Sequence, residues 1–95
     1  MSVTLIIHFE VKIDKQTEFT NIMNSIKNDL PSVSGCINVG IFKNTTKPQN
    51  YTVVETWDSR ERHEQHVNQL IESGSWGHIS ALLEKEPLSD YFNAY

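Results

Sequence analysis

The chain has 95 residues, a formal net charge of −4 and a single cysteine, Cys36. This length predicts one domain covering residues 1–95, small enough to gain stability from a partner subunit. The acidic charge without a basic cluster argues against nucleic acid as a binding partner. No apolar run approaches the ~20 residues of a membrane helix. The lone thiol and the lack of a signal-peptide pattern predict a cytoplasmic protein.

The first two predicted elements are a strand and a helix. Residues 3–13, VTLIIHFEVKI, carry an apolar residue at every odd position, which predicts a strand whose odd face meets the core. Its half-polar even face is available to a second subunit. Asp14 is predicted to cap a helix that ends at Pro31. The apolar stripe of this helix consists of Phe19, Ile22, Met23, Ile26 and Leu30.

A hairpin and two further helices follow. Residues 36–43 and 51–57 read as two strands joined by the polar loop 44–50. The second helix begins at Asp58 or Ser59, and Asp58 with Glu61 resembles a capping box. Its buried stripe is predicted to hold His63, His66, Val67, Leu70 and Ile71. Ser73-Gly74 interrupts it, a shorter helix carries Trp76, Ile79, Leu82 and Leu83, and residues 88–95 supply a last strand.

The order of elements is β-α-β-β-α-(α)-β, which predicts an α+β protein with a ferredoxin-like antiparallel sheet of four strands and helices on one face. The other face of the sheet needs cover. Because the chain has no spare element, we expect a homodimer in which two sheets face each other.

Two histidines on the second helix are the first candidates for chemistry. His63 and His66 share a helix face, and imidazole titrates near neutral pH. Beside Val67, His66 is interpreted as a residue that handles a proton or orients a ligand. For His63 a wet position at the helix edge is the simpler interpretation, and contact with a ligand is the alternative. The metal-ligand pattern is weak, because the histidines and Glu55 form no H-E-x-x-H motif, so no metal site is predicted.

Glu55 interrupts an otherwise apolar strand face. A buried carboxylate is costly without a partner, so Glu55 either pairs with a histidine or arginine or lines a wet cavity. A structural pair at the corner between strand and helix is an equal alternative. Asn38, within an apolar strand, is a candidate hydrogen-bond donor to a ligand or an oxyanion.

Several aromatic residues suit either a core or the wall of a pocket for a flat ligand. Trp57 and Trp76 are of a type found more often in cores. Tyr51, Tyr91 and Tyr95 are candidates for a pocket or a dimer interface.

Four segments, VTLIIHFEVKIDKQTEF, SGCINVGIF, ETWDSRERHEQHV and SGSWGHISALL, together resemble the antibiotic biosynthesis monooxygenase (ABM) domain family of the dimeric α+β barrel superfamily. The family pattern of Glu, Trp and Ser before a helix with a central histidine falls on Glu55, Trp57, Ser59 and His66. Trp76 stands where the family carries an aromatic residue.

The resemblance implies a homodimeric barrel with a pocket in each subunit between its sheet and helices. Some members oxidise polycyclic phenols, anthrones or quinols with molecular oxygen and no metal or flavin, so no cofactor is expected. On this hypothesis His66 deprotonates or orients a small aromatic substrate, Glu55 holds a neighbour or the substrate hydroxyl, and Asn38 stabilises an oxyanion. The expected substrate-binding residues are Trp57, Trp76, Tyr51 and His63.

Other activities occur on this fold. The haem-degrading branch is disfavoured, because its Asn, Trp and His align with Ile7, His66 and roughly Ser80. A non-enzymatic ligand-binding or stress-related dimer, and an isomerase or lyase that uses the same His and Glu, are the alternatives.

Overall fold

The computed structural model describes residues 2–95, and these form a four-stranded antiparallel sheet with helices on one face. The strands are β1 (Val3–Glu10), β2 (Cys36–Lys43), β3 (Asn50–Trp57) and β4 (Leu88–Phe92), in the spatial order β2-β3-β1-β4. The helices are α1 (Gln16–Asp29), α2 (Arg60–Glu72) and α3 (Ser75–Ser80). The predicted ferredoxin-like α+β fold is confirmed. No helix within residues 2–95 has the length and apolar character needed to cross a membrane.

The central strand β3 divides the two faces of the sheet. Its odd positions, Tyr51 to Trp57, are all buried, and the residues between them are half-buried. Leu5 and Phe9 of β1 pair with Glu55 and Tyr51 of β3, so the odd positions of both strands share one face. That face carries the core and lies beneath the helices.

The connection from β1 to α1 differs from the prediction. The strand ends at Glu10, and Val11 forms only an isolated bridge with Leu83. Ile13 is 75% exposed and begins a 3₁₀ turn, Ile13–Lys15, so it does not continue the buried odd face. Lys15, rather than Asp14, occupies the N-cap position of α1 and makes no side-chain cap. The predicted cap is wrong because this extra turn lies between strand and helix.

The apolar stripe of α1 is confirmed as part of the core. Phe19 and Met23 are buried, and the Phe19 ring lies 5.4 Å from Phe9 and 4.9 Å from Tyr51. The helix ends at Asp29, and Pro31 lies in the 3₁₀ turn Leu30–Ser32 that follows.

Ser59 is the N-cap of α2, and its hydroxyl accepts a hydrogen bond from the Arg62 backbone N–H at 3.2 Å. The predicted capping box from Asp58 to Glu61 is therefore wrong. At its other end, the predicted stripe is too long, since Ile71 is 55% exposed. The last strand also ends early, at Phe92.

Candidate functional site

A cavity of about 340 Å³ lies over the sheet between α1 and α2. Its apolar lining includes Ile7, Ile22, Ile26, Val67, Leu70 and Ile79. Its polar lining consists of Ser25, Asp29, Glu55, His63, His66 and Ser75. No lysine or arginine appears among the described residues that line it. The cavity is thus a mostly apolar space with a few polar groups, as is usual for small-molecule sites.

Glu55 lies at the sheet side of this cavity and is only 7% exposed. One carboxyl oxygen, Oε1, accepts a hydrogen bond of 2.8 Å from the indole N–H of Trp57. Burial raises the pKa of Glu55, and the indole hydrogen bond opposes that rise. Glu55 was expected either to pair with a histidine or arginine or to line a cavity. It lines a cavity, and its hydrogen-bond partner is a tryptophan.

His63 is 7% exposed and lines the cavity, so the expectation of a wet helix edge is wrong. Its ring packs edge-on against Trp57 at 5.5 Å, and Nδ1 lies 2.6 Å from the hydroxyl of Tyr91 on β4. Burial, together with the neighbouring His66, lowers the pKa of His63 to about 4. The imidazole is therefore neutral at pH 7.

The ring of Tyr91 also contacts Arg60, whose guanidinium carbon lies 4.4 Å from the ring centroid. Because a neutral phenol is a better donor than a neutral imidazole, we assign the Tyr91 hydroxyl as donor to His63 Nδ1. The remaining proton of His63 then resides on Nε2.

His66 stands one helical turn from His63 and lines the same cavity. Its ring packs against Trp57 at 5.3 Å, tilted by 33°. It makes no hydrogen bond with another side chain of residues 2–95, and burial lowers its pKa. A neutral imidazole with open nitrogens is able to accept a proton from a bound ligand.

The structure does not bring Asn38 to the cavity. Val39 pairs with Glu55, whereas Asn38 pairs with Thr56 and is exposed on the opposite face of the sheet. A register shift between Cys36 and Asn38 sets this orientation. An oxyanion role for Asn38 in this cavity is excluded by that placement.

The expected aromatic walls also lie elsewhere. Trp57 is fully buried beneath the two imidazoles, so it positions the polar groups rather than facing a ligand. Tyr51 is buried in the core, where its hydroxyl lies 3.0 Å from that of Thr20. Trp76 packs against the core and is not part of the cavity lining.

Sequence reasoning missed the contribution of α1 to this cavity. Ile22 and Ile26 were interpreted as core residues, yet both form its wall together with Ser25 and Asp29. Apolar residues at helical spacing carry no signal that separates a cavity wall from a packed core. Tyr91 was a general pocket candidate, but its pairing with His63 joins residues 28 apart in sequence and has no local signature.

Within residues 2–95, no three histidine, cysteine or carboxylate side chains converge in a way that could hold a metal ion.

Comparison with known proteins agrees with this architecture. A conserved protein from Methanosarcina mazei Go1 superposes with a TM-score of 0.87 at 22% identity, covering 100% of this chain and 94% of its own. An antibiotic biosynthesis monooxygenase superposes with a TM-score of 0.87 at 13% identity, covering 98% of each chain. SnoaB, a cofactor-independent oxygenase from Streptomyces nogalater, gives a TM-score of 0.82 at 16% identity, covering 98% of this chain and 92% of its own.

No curated protein matches the chain significantly by sequence. The sequence profile described as antibiotic biosynthesis monooxygenase matches residues 2–70, which is most of the chain. Those residues include β1 to β3, α1 and most of α2, and hence Glu55, His63 and His66. The chain therefore belongs to the antibiotic biosynthesis monooxygenase family.

Proposed function

We propose that the protein is a cofactor-independent monooxygenase that oxidises a small aromatic substrate of the phenol, quinol or anthrone type with molecular oxygen. The observation that carries this proposal is the cavity itself, in which a neutral imidazole and a buried carboxyl group face an apolar space. Family membership and the similarity to SnoaB, a cofactor-independent oxygenase, support the same reaction class.

The size and walls of the cavity suit a flat ligand. Its volume of about 340 Å³ lies at the lower end of the range for small-molecule sites, which favours two or three fused rings. Ile22 and Ile26 on one side and Val67 and Leu70 on the other supply apolar contact for the ring faces. Binding there would remove the substrate from water and orient its hydroxyl toward the polar groups.

In the proposed reaction, His66 is the general base. It removes the phenolic proton, or the acidic C–H proton of an anthrone, and the resulting anion is electron-rich enough to reduce oxygen directly. For an anthrone the balance is R₂CH₂ + O₂ → R₂C=O + H₂O. One oxygen atom becomes the new carbonyl, and the other leaves as water with the two hydrogens of the former CH₂ group. The proton held by His66 is returned in forming that water.

A homodimer assembled through the open face of the sheet is part of the proposal. That face carries the exposed side chains Phe42, Leu88 and Phe92, and the half-buried Ile6 and Val54. Apolar groups exposed together favour association. Light scattering should give twice the chain mass, and Val54→Arg, which places a charge in the middle of this face, should give the monomer mass. The lone thiol Cys36 supports a reducing compartment, the cytoplasm.

Oxygen uptake tests the proposed activity. Chelator-treated protein is mixed with a panel of anthrones and reduced naphthoquinols in an oxygen electrode, beside His66→Ala and the matched control His78→Ala. His78 is an exposed histidine on α3 outside this cavity. We expect uptake by the wild type and the control, and a loss of roughly 100-fold or more in His66→Ala, the usual contribution of a general base.

Two results would contradict the proposal. Unchanged oxygen uptake by folded His66→Ala would show that His66 is not the general base. Turnover of a metabolite without oxygen, or ligand binding with no turnover, would replace the oxygenase with an isomerase or a binding protein.

A further inference from the structure

We propose that Glu55 is an uncharged carboxylic acid whose O–H donates to the oxygen of the ligand, and that the cavity therefore selects uncharged aromatic ligands over carboxylates and phosphates. This inference rests on the proposed function, because it names the charge class of the ligand in the same cavity. It also reassigns the role of oxyanion donor from Asn38 to Glu55.

The two oxygens of Glu55 have different surroundings. Oε1 accepts the Trp57 indole N–H at 2.8 Å. The second oxygen, Oε2, has no hydrogen-bond partner in residues 2–95. Every fully buried side-chain oxygen in the described part of the chain has such a partner, so Oε2 is not fully buried. Oε2 therefore keeps contact with open space, and the space that Glu55 lines is the cavity.

The hydrogen bond from Trp57 also decides where the proton of a neutral carboxyl group resides. An indole nitrogen is a donor only, so the oxygen that it contacts must accept. In the acid form, Oε1 is then the carbonyl oxygen, and Oε2 carries the proton. Trp57 thus holds Glu55 from behind and leaves its one donor for a ligand.

The charges around Glu55 favour its neutral form. Neither ion pair found within residues 2–95 includes Glu55, and the described lining holds no lysine or arginine. Its strand neighbours are Leu5 and Val39, both apolar. The two imidazoles are neutral near pH 7.5, since burial lowers both pKa values. Burial raises the pKa of Glu55 in the direction of this neutral form, and the hydrogen bond from Trp57 opposes that rise.

The lining of the cavity is unfavourable for an anionic ligand. Such a ligand would place a second negative centre near Asp29, in a mostly apolar cavity without a cation to pair with it. A phenol or ketone brings no such charge, and its oxygen accepts the Glu55 proton. Once His66 has removed the phenolic proton, the same O–H donates to the phenolate, whose charge is balanced by the imidazolium.

A pair of matched ligands tests the inference without turnover. 3-Hydroxy-2-naphthamide and 3-hydroxy-2-naphthoate share ring, hydroxyl and size, but only the second is an anion at pH 7.5. Calorimetric titration should show the naphthamide bound roughly 100-fold or more tightly than the naphthoate, from the cost of burying an unpaired charge. Methyl NMR shifts at Ile22, Val67 and Leu70 locate both ligands in the cavity.

Two variants separate the donor from the charge. In Glu55→Gln the carboxamide keeps one donor and one acceptor, so affinity for the naphthamide should stay within about threefold. In Glu55→Leu the donor is lost, and the affinity should fall roughly tenfold, the value of one hydrogen bond. An infrared measurement tests the protonation of Glu55 without a ligand and without the Glu55→Leu protein. The band of a protonated carboxyl group should be present in the wild type at pH 7.5 and absent from Glu55→Gln.

The outcomes distinguish this inference from the proposed function. Naphthoate bound in the cavity as tightly as naphthamide, or a missing infrared band, would overturn the inference and leave an aromatic site in place. Neither ligand shifting the cavity methyls would overturn both. Selective naphthamide binding without oxygen uptake would uphold the inference and reject the oxygenase.

Discussion

Acidification should remove the stability that His63 contributes to the fold, and the size of this contribution can be estimated from the structure. The pKa of His63 is lowered to about 4 in the folded chain, against roughly 6.5 in an unfolded one. Between these values the unfolded state binds a proton that the folded state does not. The stability that His63 contributes is therefore complete above pH 6.5, falls as the pH drops toward 4, and changes no further below that.

The expected loss is large for a small protein. Integrating the difference in proton binding from pH 7.5 to pH 4.5 gives about 2.5 kcal/mol for this histidine alone. Folded domains are stable by only about 5–15 kcal/mol, so a contribution of this size is measurable by urea unfolding as a difference between two proteins. His66 acts in the same direction because its pKa is also lowered. Glu55 acts in the opposite direction, since its raised pKa lets the folded state retain a proton as the pH rises above about 4.5.

A difference between two proteins isolates the His63 contribution. Urea unfolding is followed by tryptophan fluorescence at fixed protein concentration, from pH 7.5 to pH 4.5, for the wild type and His63→Gln. The variant loses packing on Trp57, so the pH dependence rather than the absolute stability is compared. His66 and Glu55 are common to both proteins, and the wild type should lose about 2.5 kcal/mol more than the variant. Equal pH dependence in the two would refute the reasoning about burial of His63.

Local geometry predicts the effects of three further substitutions. Gly35 has φ +94°, and an added Cβ would lie 2.7 Å from the Cβ of Arg62. Because backbone strain and overpacking combine, Gly35→Ala should lower the free energy of unfolding in urea by about 2–4 kcal/mol. Gly74 is the matched control, with φ +83° but nothing within 4 Å of an added Cβ, and Gly74→Ala should cost only about 1 kcal/mol; equal costs would contradict the steric part. Tyr91→Phe removes the donor to His63 Nδ1, and ¹⁵N NMR should then show the imidazole as a mixture of tautomers; an unchanged spectrum would contradict the assigned hydrogen bond.

The fold followed from patterns that are local in sequence. The alternation along β3, from Tyr51 to Trp57, and the apolar spacing of α1 around Phe19 and Met23 both predicted which side of each element meets the core. Element order then left few topologies to consider. The errors lay at junctions, such as the 3₁₀ turn at Ile13–Lys15, where one turn of chain changes which residue caps the helix.

The site was predicted only in part, because its geometry depends on contacts distant in sequence. The cavity positions of Glu55 and His66 were predictable because polar residues that interrupt apolar faces are visible in the sequence. Asn38 was wrongly expected to act in the cavity. A register shift in β2 decides which face of the sheet carries this residue, and the alternation of apolar and polar residues cannot reveal such a shift. The contact of His63 with Tyr91 joins residues 28 apart in the sequence.

Isotope labelling shows whether the cavity beside His66 inserts an oxygen atom from O₂ into an aromatic substrate. An anthrone that supports oxygen uptake is incubated with chelator-treated protein under ¹⁸O₂, and the product and water are analysed by mass spectrometry. We expect one labelled oxygen atom in each new carbonyl and the other in water, with both lost in His66→Ala and retained in His78→Ala. A product that forms at the enzymatic rate without label would contradict this expectation.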